Sequence, residues 1–189
     1  MSAQDSKLFV ISGPSGAGKG TLVTRVRERR SNLGLTVSAT TRAPRKGEVD
    51  GVNYFFLTRE EFDRRVANGE FVEWAEVHGN CYGTLVSEVQ SKLASGSSLI
   101  LEIDVQGALQ VKERFPEAVL IFIKPPSLEV LRERLVGRGT ETPETIELRM
   151  ANAADELALA DRYDDAVVND DLDRATDELV RVLDMHERI

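Results

Sequence analysis

The chain has 189 residues, with 24 Lys and Arg against 32 Asp and Glu for a net charge of −8, and is 41% hydrophobic and 30% charged. That length suits one domain with insertions around a sizeable core, and the composition excludes a disordered or fibrous chain. The apolar runs, such as Leu8–Ile11 and Ala118–Ile123, are too short to cross a bilayer, and residues 1–10 lack the basic start and long apolar stretch of a signal peptide, so a cytoplasmic protein is expected. Cys81 is the single cysteine and His78 and His186 the only histidines, which leaves no internal disulfide and no zinc-type cluster. No built-in metal site is expected. Residues 1–50 carry 9 basic and 4 acidic side chains, residues 151–189 carry 4 and 12. A duplex-binding protein more often has a basic balance overall, whereas a basic first third fits a small anionic ligand held locally.

Leu8-Phe9-Val10-Ile11 runs straight into Gly13-Pro14-Ser15-Gly16-Ala17-Gly18-Lys19-Gly20, which reads as a buried strand ending in a glycine loop. Residues 21–30 then follow a helical pattern, with Leu22 and Val26 four apart, that stops at Asn32-Leu33-Gly34. Short apolar strands are predicted at 35–38, 98–103, 119–123 and 166–168, and helices at 85–94, 105–114, 128–136, 143–159 and 172–187. Strands alternating with helices imply a parallel sheet covered on both faces.

Two stretches interrupt the alternation. Residues 39–84 contain Pro44, a Lys46-Gly47 turn, an aromatic strand at Tyr54-Phe55-Phe56, a capping box at Thr58-Arg59-Glu60-Glu61 and a strand at Phe71-Val72-Glu73-Trp74, and read as an inserted subdomain. Residues 127–150 place Arg132, Arg134, Arg138 and Arg149 around Gly137-Arg138-Gly139 and Pro143, and read as a mobile basic flap. The remaining stretches, 1–38, 85–126 and 151–189, form the core.

Gly13, Pro14, Ser15, Gly16, Ala17, Gly18 and Lys19 fit G-x-x-x-x-G-K, between the strand and helix that the pattern requires. Backbone N–H groups of such a loop cradle phosphate, the helix N-terminus adds its dipole, and the lysine reaches the outer phosphates. Gly20 stands where a hydroxyl residue usually follows, with Thr21 next. Thr21 then remains for phosphate, and a metal is left to nucleotide and water.

With this loop the sequence resembles the nucleoside monophosphate kinases, and Ser38-Ala39-Thr40-Thr41-Arg42-Ala43-Pro44-Arg45-Lys46-Gly47-Glu48 resembles the guanylate kinases in particular. The likeness continues through Gly51–Phe56, Phe71–Ala75, Tyr82-Gly83-Thr84, Ile103–Gly107 and Arg134–Gly139, from about residue 7 to 185. It implies an α/β P-loop kinase core with a parallel sheet flanked by helices, an inserted mixed α/β GMP-binding subdomain at 39–84 and a helical lid at 127–150. It also implies transfer from ATP, carried with Mg²⁺, to GMP. Nucleic acid, membrane or an obligate protein partner is not expected.

Chemistry gives each matched residue a reason. Arg42 and Arg45 can converge on one phosphate with forked donors, and the resemblance adds the phenols of Tyr54 and Tyr82 and places Glu48 with them. Taken alone, such an R-x-x-R also fits a solvated surface. Guanine presents N1–H and N2–H₂ as donors and O6 as an acceptor. A carboxylate matches the first edge and a hydroxyl the second. Glu73 is the candidate acid, with Ser38 and Thr84 as hydroxyls and Asp104 as a second acid; the polar face of a strand is the alternative for Glu73. By resemblance Lys19, Arg134, Arg138 and Arg149 neutralise charge in flight, and Asn169 contacts the ATP base, although asparagine also suits a loop cap. Arg132 and the acidic helix 171–187 read as solvated, Cys81 and Trp74 as packing residues, and the two histidines as unpartnered. Three functions compete: a guanylate kinase, a catalytically silent binding module of the same fold, and a P-loop kinase for another acceptor. Lys19 with the lid arginines favours an enzyme, and Glu73 with Ser38 and Thr84 favours guanine.

Overall fold

The computed structural model describes residues 6–77, 79–137, 139 and 142–187. Strand β1 (Leu8–Ser12) is buried along its whole length, because it lies at the middle of a five-stranded parallel sheet. The other strands are β2 (Gly34–Leu35), β7 (Leu99–Glu102), β8 (Val119–Lys124) and β9 (Asp165–Val168), in the order β2-β7-β1-β8-β9. Its pleat sends alternate residues to opposite faces. Phe9 and Ile11 join Leu22, Val23 and Val26 of α1 (Lys19–Arg29) and Ala175, Leu179 and Leu183 of α7 (Leu172–Glu187). Leu8 and Val10 join Val89 of α3 (Val86–Ala94) and Ala108 and Val111 of α4 (Val105–Arg114).

The insertion builds a second sheet. Its strands are β3 (Ala39–Thr40), β4 (Phe55–Phe56), β5 (Phe71–Val77) and β6 (Asn80–Leu85), in the order β4-β3-β6-β5, with β5 and β6 antiparallel and β3 parallel to β4. Helix α2 (Arg59–Ala67) covers it: Phe62 stacks on Phe71 with centroids 4.3 Å apart. Thr58 caps α2, its Oγ1 accepting from the Glu61 amide, while the Glu61 carboxylate turns to Arg64 and Arg65. Helices α5 (Leu128–Gly137) and α6 (Pro143–Leu157) pack through Leu131, Leu135 and Ala153, and a 3₁₀ turn at Ala160–Arg162 leads to β9.

The parallel sheet with helices on both faces is the fold expected, and several local expectations are corrected. The strand expected at 35–38 pairs only as Gly34–Leu35, since Ser38 already serves the second sheet by accepting the Phe55 amide. Strand β6 was not foreseen. Trp74 is 45% exposed rather than packed in the subdomain core. His186 has a partner, its Nε2 lying 2.6 Å from Asp165 Oδ2; His78 lies outside the described residues. Helix α7 is not merely a solvated acidic face: Asp173 and Asp177 pair with Arg25 and Arg29 of α1, and Asp184 and Glu187 both pair with Arg30. Much of the basic excess in the first third is thereby occupied by α7 instead of by a ligand. Arg132 is exposed and pairs with Glu147.

Candidate active site

In an open parallel sheet, ligands bind beyond the carboxyl ends of the strands. The loop leaving β1 lies there. Gly13 has φ of 143°, and a Cβ on it would run into the carbonyl oxygen of Ile123, so only glycine lets the loop turn this close to β8. Gly18, at φ 88°, precedes α1 without any side-chain cap, which leaves the first amides of α1 directed at the loop interior, where an anion is stabilised. Lys19 Nζ donates to the carbonyl oxygens of Gly13 and Pro14, at 2.6 and 3.1 Å. Asn169 is buried behind the loop and its Nδ2 donates to Ala17 O at 2.7 Å. That bond braces the loop from behind.

The flap arginines meet the same loop. Arg149 Nη1 donates to Ser15 Oγ at 2.5 Å, and Arg134 Nη2 donates to Asn169 O at 2.8 Å. Arg138 lies outside the described residues. Thr21 and Gly20 are exposed on the first turn of α1. Helix α6 runs unbroken through residue 150, so Arg149 belongs to a rigid rod that also reaches into the last third of the chain.

Across the cleft the insertion assembles a second group. Glu48 grips the Arg42 guanidinium at both oxygens, at 2.8 and 3.0 Å, and accepts the Arg45 amide at 2.6 Å. These bonds hold the Glu48 carboxyl below the ordinary carboxylate range and push Arg42 further up. The Arg42 guanidinium carbon lies 5.4 Å from the Tyr54 ring centre, and Tyr54 meets Tyr82 edge on at 6.2 Å. Arg45 is exposed and in no ion pair among the described residues. Arg42, Tyr54 and Tyr82 are thus brought together, with Glu48 holding Arg42 in place and tying in Arg45 by its backbone amide alone.

Glu73 accepts from the buried Thr84 hydroxyl at 2.8 Å. Burial pushes its carboxyl up, Asp104 adds to the rise and the Thr84 hydroxyl opposes it. Asp104 caps α4 through the Gly107 amide at 2.6 Å, and a Cβ on Gly107 would sit between Asp104 Oδ1 and Glu73 Cβ. The two acids therefore face one corner. Sequence reasoning missed Glu102, the last residue of β7, whose oxygens lie 3.5 and 3.7 Å from where a Cβ on Gly20 would stand. Burial raises its carboxyl and the Lys19 charge lowers it. A single acid at the end of an apolar strand carries no signal in the sequence that would have found it.

A phosphate loop at the end of the central strand, arginines reaching it from a helical flap, and a separate sheet carrying a second arginine site define a P-loop phosphotransferase. The guanylate kinase family model matches residues 5–186. The chain is 57% identical to a guanylate kinase of Gloeobacter violaceus, over 94% of this chain and 87% of that one. It is 51% identical to a guanylate kinase of Halalkalibacterium halodurans, over 97% and 90%. The crystal structure of guanylate kinase from Anaplasma phagocytophilum superposes with a TM-score of 0.72 at 36% identity, covering 97% of this chain and 87% of that chain. The chain belongs to the guanylate kinase family, and is thus an enzyme of the nucleoside monophosphate kinase class.

Proposed function

We propose that the chain transfers the γ-phosphoryl group of ATP to GMP, giving ADP and GDP. The observation that carries this reading is the pairing of a complete phosphate loop with the Arg42–Glu48–Tyr54–Tyr82 group on the insertion. ATP lies on the loop from Gly13 to Thr21. GMP lies on the insertion, its phosphate at Arg42, Arg45, Tyr54 and Tyr82, with Glu48 as the brace, and its base at Glu73, Thr84, Ser38 and Asp104.

A GMP phosphate oxygen forms the new bond to the γ-phosphorus as the bridge to the β-phosphate breaks and ADP leaves. That oxygen is already ionised, so no general base is required and the work is positioning and charge stabilisation. Lys19, Arg134 and Arg149 supply positive charge around the transferring group. Arg138 joins them on its place in the sequence alone. Closure of 39–84 and 127–150 over the core excludes water and limits ATP hydrolysis.

Kinases of this type take ATP with a divalent cation, and Mg²⁺ is the ion proposed. Among the described residues no three His, Cys, Asp or Glu side chains form a cage, whereas one carboxylate beside the phosphates is the donor set that suits Mg²⁺ carried on a nucleotide. Glu102, over Gly20, is that carboxylate, and fits. The ion would neutralise charge on the β- and γ-phosphates. A cytoplasmic setting belongs to the same proposal, supported by the single, buried Cys81.

A coupled assay with GMP, AMP, CMP, UMP and shikimate as acceptors tests the reading. GMP is expected to be used far faster than the others. Failure of all five would leave a binding module, and preference for another acceptor would reassign the insertion.

A further inference from the structure

Phe71 and Val72, neighbours at the start of β5, belong to different cores. Phe71 packs with Phe62 and Cys81 inside the insertion, whereas Val72 is 1% exposed among Val10, Val89, Ala108 and Val111, against the parallel sheet. In a regular strand Glu73 would follow Phe71 back to the insertion side. Instead the pairing of β5 with β6 slips between Phe71 and Glu73, which face Leu85 and Thr84, and such a bulge re-aims the side chains beyond it. Glu73 is thereby turned towards α4 as Val72 is: its Cβ lies 3.8 Å from where a Cβ on Gly107, in the first turn of that helix, would stand. Arg114, the last residue of α4, comes seven after Gly107 and so shares its face. Its Nη1 donates to Gly69 O at 3.1 Å and to Phe71 O, and its Nη2 lies 3.7 Å from where a Cβ on Gly69 would stand. Gly69, at φ 70°, closes α2 just past its cap, where a cation is favoured by the helix dipole. Beside these bonds a cleft of about 140 Å³, lined by Glu73, Trp74, Gln110 and Arg114, remains between β5 and α4. Close packing does not set the spacing on that side.

We propose that Arg114 is a positioning residue for base recognition: by stapling the bulged start of β5 to the C-terminal end of α4, it fixes Glu73 on that strand relative to Asp104 at the cap of the same helix. The inference rests on the GMP site of the kinase reading above. Asp104, Gly107 and Arg114 ride on one helix, with Asp104 bound to the Gly107 amide at 2.6 Å. A shift of Phe71 against the Arg114 end is therefore passed to Glu73, two residues further along the strand, and changes the edge that the two acids offer to guanine. The forked guanidinium suits this task because it holds two carbonyls, one at the end of α2 and one at the bulge, in a single plane of donors.

The test measures kcat and the KM values for GMP and ATP in Arg114→Ala, Arg114→Lys, Glu73→Gln and the double variant of Arg114→Ala with Glu73→Gln. Arg114→Ala is expected to raise KM for GMP about tenfold, the scale of a lost hydrogen bond from a charged donor, with kcat and KM for ATP unchanged. The reaction with AMP, which has no guanine edge to lose, should change little, so the preference for GMP narrows. Arg114→Lys offers one ammonium in place of the fork and should fall between, at about threefold. On top of Glu73→Gln, Arg114→Ala should cost nothing further, because it acts through that carboxylate. An unchanged KM for GMP in Arg114→Ala would overturn the proposal. So would an equal loss for ATP and AMP, the mark of general loosening, or a full second loss in the double variant. Should Arg114→Ala fail to fold, Arg114→Lys decides, and a wild-type KM for GMP there sinks the proposal. A wild-type protein that transfers nothing to GMP would overturn the kinase reading itself, an outcome read before any variant is made.

Discussion

At the scale of single residues, the cleft separates charge that must be present from charge that must be absent. Lys19 is held by two loop carbonyls and gains most when negative charge grows on the transferring phosphoryl. Lys19→Ala should therefore lower kcat by about 10²-fold or more, the scale of a lost electrostatic donor. An unchanged melting curve in the same variant would place the loss in the chemistry. On the proposed reading Glu73 would carry selectivity, since an ionised carboxylate accepts from both donors on the edge of guanine, whereas adenine offers a lone pair there. Glu73→Gln should cost GMP more than tenfold in kcat/KM and change AMP less, an unpaired buried polar group costing about 1–3 kcal/mol. Burial and Asp104 hold this carboxyl above the glutamate value of 4.5. The charged form that guanine needs is accordingly lost as pH falls through that raised value, so KM for GMP should climb in mildly acidic buffer and lose that dependence in Glu73→Gln. A flat KM in the wild type would remove Glu73 from recognition. Lys19 was legible from the motif itself, whereas Glu73 stood out only through the family resemblance, the polar face of a strand being the default reading for an acid there. Sequence alone missed Glu102 because a single acid at a strand end has no pattern of its own until the neighbouring glycine is seen beneath it.

At the scale of elements, α7 is bound to α1 by ion pairs of unequal worth. Arg25–Asp173 and Arg29–Asp177 have side chains 41 to 75% exposed, where a pair contributes about 0–1 kcal/mol. Arg30 and Glu187 are 12% and 4% exposed. Removing one partner there strands a buried charge, at about 3–5 kcal/mol. Urea unfolding should therefore find Arg30→Ala costly and Arg25→Ala or Arg29→Ala nearly silent; equal effects at all three would mean that the ladder acts as one surface network. The helix α7 itself was legible from its apolar spacing. Its partner was not, because complementarity between residues about 150 positions apart leaves no local mark. The same reason hid β6, whose residues Asn80–Leu85 alternate poorly and become a strand by pairing with β3 and β5, and it exposed Trp74, which local pattern assigned to a core.

At the scale of the whole molecule, two arginine-bearing bodies face a third that carries the phosphate loop. Like charges converging on one cleft repel until phosphates arrive, so GMP together with a non-hydrolysable ATP analogue should slow hydrogen exchange across 39–84 and across α5 and α6. Equal exchange with and without ligands would refute closure. If such closure occurs, the unbroken rod of α6 would pass it to its C-terminal end, at Ala158–Leu159. The sheet order has a further outcome, which concerns synthesis. The central strand β1 pairs with β7 and β8, Leu8 with Leu99 and Phe9 with Val119, and α1 is closed by α7 through contacts 148 residues distant. The nucleotide loop precedes β7 and β8 in the chain and must wait for both before β1 has its sheet neighbours, and long loops closed late make folding slow. A nascent chain stalled at Asp171 should bind no ATP analogue and should be digested as an unfolded polypeptide, so competence to hold nucleotide reports that translation has passed α7.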